Sequence, residues 1–372
     1  MRPSWIEVDL AAVRANAAAI ASAVSPSILC AVVKADAYGL GDAPVAEAVL
    51  AGGATWLAVA LVEEAARLRD AGIEAPILLL SEPSPSDAAE VVELRLVPTV
   101  YRWSFAAAVS AEAADAGVAP YVVHVKIDTG MHRVGAQPDE ALALIRKIDD
   151  DPRLTLGGVW THFSVSEEDP AYTAGQLAVL DSVLASVESE GIAVPTVHAA
   201  NTAAALDMAR SRRSLVRVGL GLYGLRPAPE TGPGVELRPA MRVVSHVSYV
   251  QRIAAGERPS YGRVRPLASD ATVATVPIGY ADGVARRLSA VGGQVLVRGR
   301  RYPLAGTITM DQLVLDVGDD PVAVGDEVVL LGPQGDDAIT AEEWADRLGT
   351  INYEIVCGFG PRLPRRYVEA EP

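Results

Sequence analysis

From Ser27 to about Gly219 the chain alternates short, nearly unbroken apolar runs with Ala-rich stretches of helical spacing. The runs are Ile28–Val33, Trp56–Ala60, Pro76–Leu80, Leu96–Val100, Tyr121–Ile127, Leu156–His162, Val194–Ala199 and Leu215–Val218. Continuous hydrophobicity is what a strand buried on both faces shows. Strands alternating with helices predict a parallel sheet, and eight such units predict an α/β fold with a closed, TIM-like (β/α)8 barrel. Ahead of them Asp9 is placed to cap a helix whose apolar residues Leu10, Val13, Ala17, Ile20 and Val24 recur at steps of three and four. That face is expected to lie against the barrel.

The periodicity stops in Arg226–Leu237, a segment rich in Pro and Gly, and the domain boundary is placed there. The expected division is a barrel over residues 1–235 and a C-terminal β-rich domain over 236–372. In the latter, strands are predicted at Val243–Val250, Thr272–Ile278, Gln294–Val297, Tyr302–Ala305 and Glu327–Leu331, with a turn at Arg298-Gly299. One helix is predicted there, opened by a Thr340/Glu343 capping box and closed by Gly349.

Charge narrows the possible partners. A net charge of −15 repels polyanions, so a nucleic-acid binder is disfavoured. No apolar run approaches the roughly 20 residues that cross a bilayer, and residues 1–9 do not read as a signal peptide, so a cytoplasmic protein is expected. Cys30 and Cys357 stand alone inside apolar runs and read as reduced structural thiols.

Lysine occurs only at Lys34, Lys126 and Lys147, so of 32 basic residues 29 are arginine. An amine can lose its proton and become a nucleophile, whereas a guanidinium cannot. Lys34 ends the first barrel strand, at the face where barrel active sites lie, and partial desolvation there favours the neutral amine that a Schiff base needs. The loops after the seventh and eighth strands are the usual phosphate site of this architecture. Here they offer the Thr202 hydroxyl and the amides of Gly219 and Leu220. A lysine at one strand end, a phosphate site across the barrel mouth and no Asp/Glu/His metal cluster point to pyridoxal 5′-phosphate.

The motifs KADAYG (from Lys34), KIDTGMHRVG (from Lys126), THFS (from Thr161), HAANTAA (from His198), VRVGLGLYG (from Val216), SYG (from Ser260), TVPIGYADG, AGTITMDQ (from Ala305) and INYEIVCG (from Ile351) follow one another over nearly the whole chain. In that order they resemble alanine racemase, a fold-type III pyridoxal-phosphate enzyme. The resemblance implies that Lys34 carries the cofactor and that Arg217 faces its pyridine nitrogen. Tyr38, Asn201, Thr202, Gly219, Leu220 and Tyr353 are implied to hold its phosphate end. Lys34 and Tyr261 are implied to be the two bases, with His162 against Tyr261 and Arg217 behind it. Arg133, the Met310 backbone, Tyr280 and Asp311 are implied to meet a small amino-acid substrate, with Asp282 beside them at the mouth. Lys126 matches a lysine that many relatives carry as a carbamate. A homodimer with shared sites is also implied, in which Tyr261 and Met310 come from the partner, and the product D-alanine would serve peptidoglycan.

Three positions depart from the family pattern: Leu40 replaces a common histidine, His132 a common glycine and Thr309 a common cysteine. The closest rival reading is a racemase of another small amino acid such as serine. A fold-type III decarboxylase would carry an acid where Arg217 stands, and a non-catalytic cofactor carrier would lack the second domain.

Overall fold

Residues 3–369 are described by a computed structural model of the chain, which divides into two compact units. One comprises Ala12–Ala37 and Asp42–Arg238; the other comprises residues up to Ala11, Tyr38–Gly41 and from Pro239 onward. The expected boundary region therefore lies just before the division at Arg238, while β1 (Trp5–Asp9) joins the second unit.

The first unit is an eight-stranded barrel: β2 (Ile28–Val32), β3 (Trp56–Val59), β4 (Ile77–Leu79), β5 (Thr99–Val100), β6 (Tyr121–Lys126), β7 (Leu154–Trp160), β8 (Thr196–His198) and β9 (Leu215–Val218). Its strands run parallel in the order β4-β3-β2-β9-β8-β7-β6-β5. The ring closes where the Leu79 amide donates to the Val97 carbonyl at 2.9 Å and the Val97 amide donates to Ile77 at 2.8 Å. Pro98, with no N–H to give, shortens the strand expected at Leu96–Val100 to two residues. The helix Leu10–Val24 buries Val13, Ala17, Ile20 and Val24, as its spacing predicts. Asn16 adds a polar tie, donating to the carbonyls of Leu222 at 3.1 Å and Arg238 at 2.8 Å.

Within the barrel, register lines up the inward residues in layers. Lys126, Trp160 and His198 are Cα neighbours across β6, β7 and β8, and His124, Gly158 and Thr196 form the layer beneath. Gly157 and Gly158 make room for a ring there. A Cβ on Gly158 would sit 2.9 Å from the His124 imidazole, and one on Gly157 would sit 3.0 Å from it.

Immediately after β2 the backbone makes a helical turn, Lys34–Gly39, of the opposite hand to an ordinary helix: φ is +53° at Ala35, +54° at Asp36, +51° at Ala37 and +57° at Tyr38, and +83° at Gly39. For L-residues with a Cβ this conformation costs about 1–2 kcal/mol each, so the four together require support from their surroundings.

The second unit is β-rich. Its larger sheet runs β14 (Arg300–Pro303), β13 (Gln294–Val297), β16 (Glu327–Gln334), β10 (Met241–His246), β1 and β18 (Arg365–Val368), with β17 (Asp337–Ile339) beside β16. A three-stranded sheet holds β11 (Tyr249–Ile253), β12 (Ala271–Val276) and β15 (Leu313–Gly318). The single strand expected over Val243–Val250 is two strands in two sheets. The chain crosses between them at Val247, whose amide donates to Asp326, and Ser248, whose amide donates to Thr275. The predicted helix is Ala341–Leu348, ended by Gly349 at φ +72°. Only half of its capping box forms: Thr340 Oγ1 accepts from the Glu343 amide at 3.1 Å, but the Glu343 carboxylate turns instead to Arg301 at 2.8 Å. Both cysteines are free thiols; Cys30 is buried and Cys357 is exposed, so the latter is not a core residue.

Candidate active site

The barrel unit gathers Lys34, Lys126, Arg133, His162, Asn201, Thr202, Arg217, Gly219 and Leu220. Arg217, on β9, is 3 % exposed and organises the interior. Its Nη2 donates to the Thr161 carbonyl at 2.8 Å, to the Ala199 carbonyl at 3.0 Å and to His162 Nδ1 at 3.4 Å, and its Nη1 donates to His198 Nδ1 at 2.8 Å. These partners are carbonyls and imidazoles, none of them a carboxylate. Burial pulls the guanidinium down to about 10, still far above neutrality, so it stays charged.

Because a guanidinium only donates, it dictates the tautomers around it. His198 Nδ1 must accept, which leaves the hydrogen on Nε2, and His198 Nε2 lies 3.0 Å from His124 Nδ1. His124 therefore accepts in turn and carries its own hydrogen on Nε2. His162, accepting at Nδ1, likewise presents Nε2–H. Burial followed by the Arg217 charge pushes His124 down to about 4 and holds His162 and His198 well below the usual imidazole range, so all three are neutral near pH 7.

Trp160 lies beneath the cations. Arg217 sits 4.4 Å and Lys126 Nζ 4.6 Å from its ring, and His198 stacks on it with centroids 5.3 Å apart. Its buried indole N–H has no acceptor among the described residues. Lys126 is buried, and desolvation, then Arg217 and Arg133, bring its amine down to about 7. Asp128 anchors the loop that leads to Arg133. Its carboxylate accepts from the amides of Gly130 at 3.1 Å and His132 at 2.9 Å and lies 3.3 Å from the His132 ring. Against the cost of burial, these donors hold the carboxyl below the usual range. His132 takes φ +53°, the backbone a glycine would adopt without strain.

At the other side of the barrel mouth, Asn201 caps the helix Thr202–Asp207 by accepting from the Ala204 amide at 3.1 Å, and Ser166 Oγ donates to the same Asn201 oxygen at 2.9 Å. Thr202 Oγ1 accepts from the Gly219 amide at 3.3 Å. Gly219 precedes the short turn Leu220–Tyr223, and a Cβ on Gly221 would come within 3.1 Å of both Thr202 and Ile20. A hydroxyl, backbone amides and a cradle kept open by glycine form a donor set suited to a phosphate group. With the donor-only Arg217 in the same unit, these residues fit pyridoxal 5′-phosphate.

The second unit carries Tyr38, Tyr261, Tyr280, Asp282, Met310, Asp311 and Tyr353. Tyr38 and Tyr353 have ring centroids 6.2 Å apart, and burial, then Tyr353, raises the Tyr38 hydroxyl above its usual range. The amides of Tyr280 and Ala281 donate to the carbonyls of Thr309 and Met310 at 3.0 Å. A Cβ on Gly279 would collide with those carbonyls at 2.3 and 2.5 Å, so the approach depends on glycine. Arg362 ties Asp311, at 2.6 Å, to the buried Asp282, at 3.4 Å. Thr309 Oγ1 closes its turn against both the amide and the carbonyl of Gln312. Tyr261 is 72 % and Met310 53 % exposed.

The sequence singled out neither His124, His198 nor Trp160, although all three surround Arg217 or its partners. For His124 a signal existed: it lies two residues before Lys126, and alternation in a strand puts both on one face.

The family description "Alanine racemase, N-terminal domain" matches residues 8–227, and "Alanine racemase, C-terminal domain" matches residues 240–367. Among curated relatives, the alanine racemase of Desulfovibrio desulfuricans is 44 % identical over 371 residues, covering 99 % of each chain. That of Symbiobacterium thermophilum is 44 % identical over 369 residues, covering 99 % of this chain and 97 % of its own. Among solved structures, alanine racemase from Bacillus anthracis with bound L-Ala-P superposes with a TM-score of 0.92 at 36 % identity, covering 99 % of this chain and 95 % of that one. A histidine racemase from Leuconostoc mesenteroides superposes with a TM-score of 0.89 at 27 % identity, covering 99 % and 98 %.

Proposed function

The chain belongs to the alanine racemase family and is an amino-acid racemase interconverting L- and D-alanine; we propose that it does so by a two-base mechanism with pyridoxal 5′-phosphate carried on Lys34. The observation that carries the cofactor assignment is Arg217, a buried cation that can only donate and whose partners among the described residues include no carboxylate. When bound, pyridoxal 5′-phosphate draws electron density from an attached amino acid and acidifies its Cα–H. Thr202, the Gly219 and Leu220 amides, Asn201, Tyr38 and Tyr353 would hold its phosphate end. Arg217 would be the donor toward the ring nitrogen, and a guanidinium would not surrender its proton there.

Lys34 takes or returns a proton at Nζ on one face of Cα, and Tyr261 of a second copy does so at its hydroxyl on the other. A tyrosine starts near pKa 10 and needs help. Neutral His162, with its hydrogen on Nε2, is suited to donate to the Tyr261 oxygen and stabilise its anion. Arg133 pairs with the substrate carboxylate, assisted by the Met310 backbone, while Tyr280, Asp282 and Asp311 line the approach and keep the substrate small.

Lys126 stands among Arg217, Arg133 and Lys34, and burial with these charges brings its amine down to about 7, so a neutral fraction is available near neutral pH. That crowd of cations favours converting it to a carbamate, whose anionic oxygens would orient Arg133. A carbamate carbon signal from labelled bicarbonate, lost in Lys126→Met, is the expected result; no signal removes the modification.

The reading extends to a cytoplasmic homodimer that supplies D-alanine for peptidoglycan. The exposure of Tyr261 and Met310 supports their role at a subunit boundary. The test is to add pyridoxal 5′-phosphate and follow optical rotation of L-alanine, with L-serine alongside. We expect loss of rotation for L-alanine, abolished in Lys34→Ala. A protein that takes up no cofactor on Lys34 refutes the assignment.

A further inference from the structure

We infer that Glu64 is a positioning residue for Lys34: its carboxylate pins the Ala35 amide and so holds the left-handed turn on which Lys34 stands. The inference deepens the proposed role of Lys34 and rests on it.

The turn is the starting point. Ala35, Asp36, Ala37 and Tyr38 hold φ between +51° and +57° in succession, with no glycine among them. A backbone in that region is populated only when its surroundings over-determine it. Within the turn the Ala37 amide donates to the Val33 carbonyl at 2.9 Å, and Asp36 Oδ1 accepts from the Asp42 amide at 3.0 Å. Neither contact uses the Ala35 amide, which immediately follows Lys34. Glu64 does: its Oε1 accepts from the Ala35 amide at 2.7 Å, a short charge-assisted bond.

Glu64 is suited to that task by its place in the fold. It lies in the first turn of the helix Val62–Asp70, which follows β3, and β2 runs beside β3 with Val32 opposite Ala58. The Val33 amide continues that pairing by donating to Ala58 at 2.9 Å. The two strand ends are therefore held in register, and the backbone after β2 arrives next to the start of that helix. There Glu64 Oε2 accepts from the amides of Ala60 at 2.8 Å and Leu61 at 3.1 Å. Its side chain is 7 % exposed, and all three of these donors are backbone amides. Capping the helix uses only Oε2. The bond from Oε1 to a residue 29 positions earlier has no part in that cap and couples it to the turn.

Glu64→Asp separates the two tasks, because a carboxylate one methylene shorter still suits the first turn of a helix but retreats from Ala35. Using the cofactor-saturated protein, we expect Glu64→Asp to keep a thermal midpoint within about 4 °C of wild type. Amide hydrogen exchange should accelerate in peptides spanning residues 34–39 while those over Val62–Asp70 stay protected. The value of kcat should fall about tenfold, with KM little changed, as expected for a displaced reacting group. Adding Ala35→Gly to Glu64→Asp should recover much of kcat, since glycine adopts positive φ without a Cβ penalty.

Unchanged exchange over residues 34–39, or a kcat loss that Ala35→Gly leaves untouched, overturns the inference. Should Glu64→Asp fail to fold, Glu64→Gln, which keeps the length but replaces one acceptor by a donor, is expected to give the same exchange and kcat signatures; failure of both to fold assigns Glu64 to the fold and refutes its role toward Lys34. A wild-type protein that takes up no cofactor refutes the reading of Lys34 instead, and exchange over residues 34–39 still judges whether Glu64 holds the turn.

Discussion

At the residue scale the barrel interior is governed by one side chain that can only donate. Arg217 fixes the hydrogen of His198 on Nε2, and His198 passes the same constraint to His124 two strands away. These imidazoles are buried as neutral rings, which has a consequence for acid stability. His124 titrates at about 4 in the folded protein, against an ordinary value of 6.5 that the unfolded chain recovers. As pH falls below 6.5 the unfolded chain takes up a proton that the folded chain refuses until about 4, so stability is lost across that window. His124→Gln should therefore flatten the fall in urea midpoint between pH 7 and 5, by about 2 kcal/mol at pH 5; parallel midpoints in the two proteins would refute the neutral assignment. Lys34 was legible in the sequence because a scarce lysine at a strand end stands out, and Arg217 through the family motif VRVGLGLYG. His124 and His198 were not, because an imidazole inside an apolar run reads as core, and only the closed ring of strands shows that both touch the same arginine chain.

At the element scale, eight apolar runs translated into eight barrel strands because each is buried on both faces. What alternation could not disclose is a change of partner: Val243–Val250 keeps its pattern while the backbone passes from one sheet to the other. The left-handed turn after β2 was equally hidden, since KADAYG offers no glycine before Gly39 to signal positive φ. Where glycine does mark such a position, the sequence spoke clearly. Gly349 ends the helix Ala341–Leu348 at φ +72°, and a Cβ there would meet no atom within 4 Å. Gly349→Ala should therefore cost about 1 kcal/mol through the backbone alone, read as a lower denaturant midpoint with an unchanged slope. A neutral substitution would show that the helix end relaxes out of this conformation.

At the scale of the whole molecule, the proposed two-base chemistry needs, in our reading, groups from two copies of the chain. Tyr261, Val264 and Met310 are large apolar or aromatic residues left exposed on the second unit, the kind of surface that a partner covers. Mixing Lys34→Ala chains with Tyr261→Ala chains should restore roughly a quarter of wild-type activity, since half of randomly assorted dimers would be mixed and each would hold one intact site. No recovery despite demonstrated subunit exchange would refute sharing. The same scale exposes a demand on biosynthesis. Strand β1 pairs antiparallel with β10 and parallel with β18, so it gains its neighbours only after residues 241–246 and then 365–368 have left the ribosome. The barrel between them can close meanwhile on local partners, leaving Trp5, Ile6 and Val8 on a strand with open edges during most of translation, a stretch that a nascent-chain chaperone would have reason to shield.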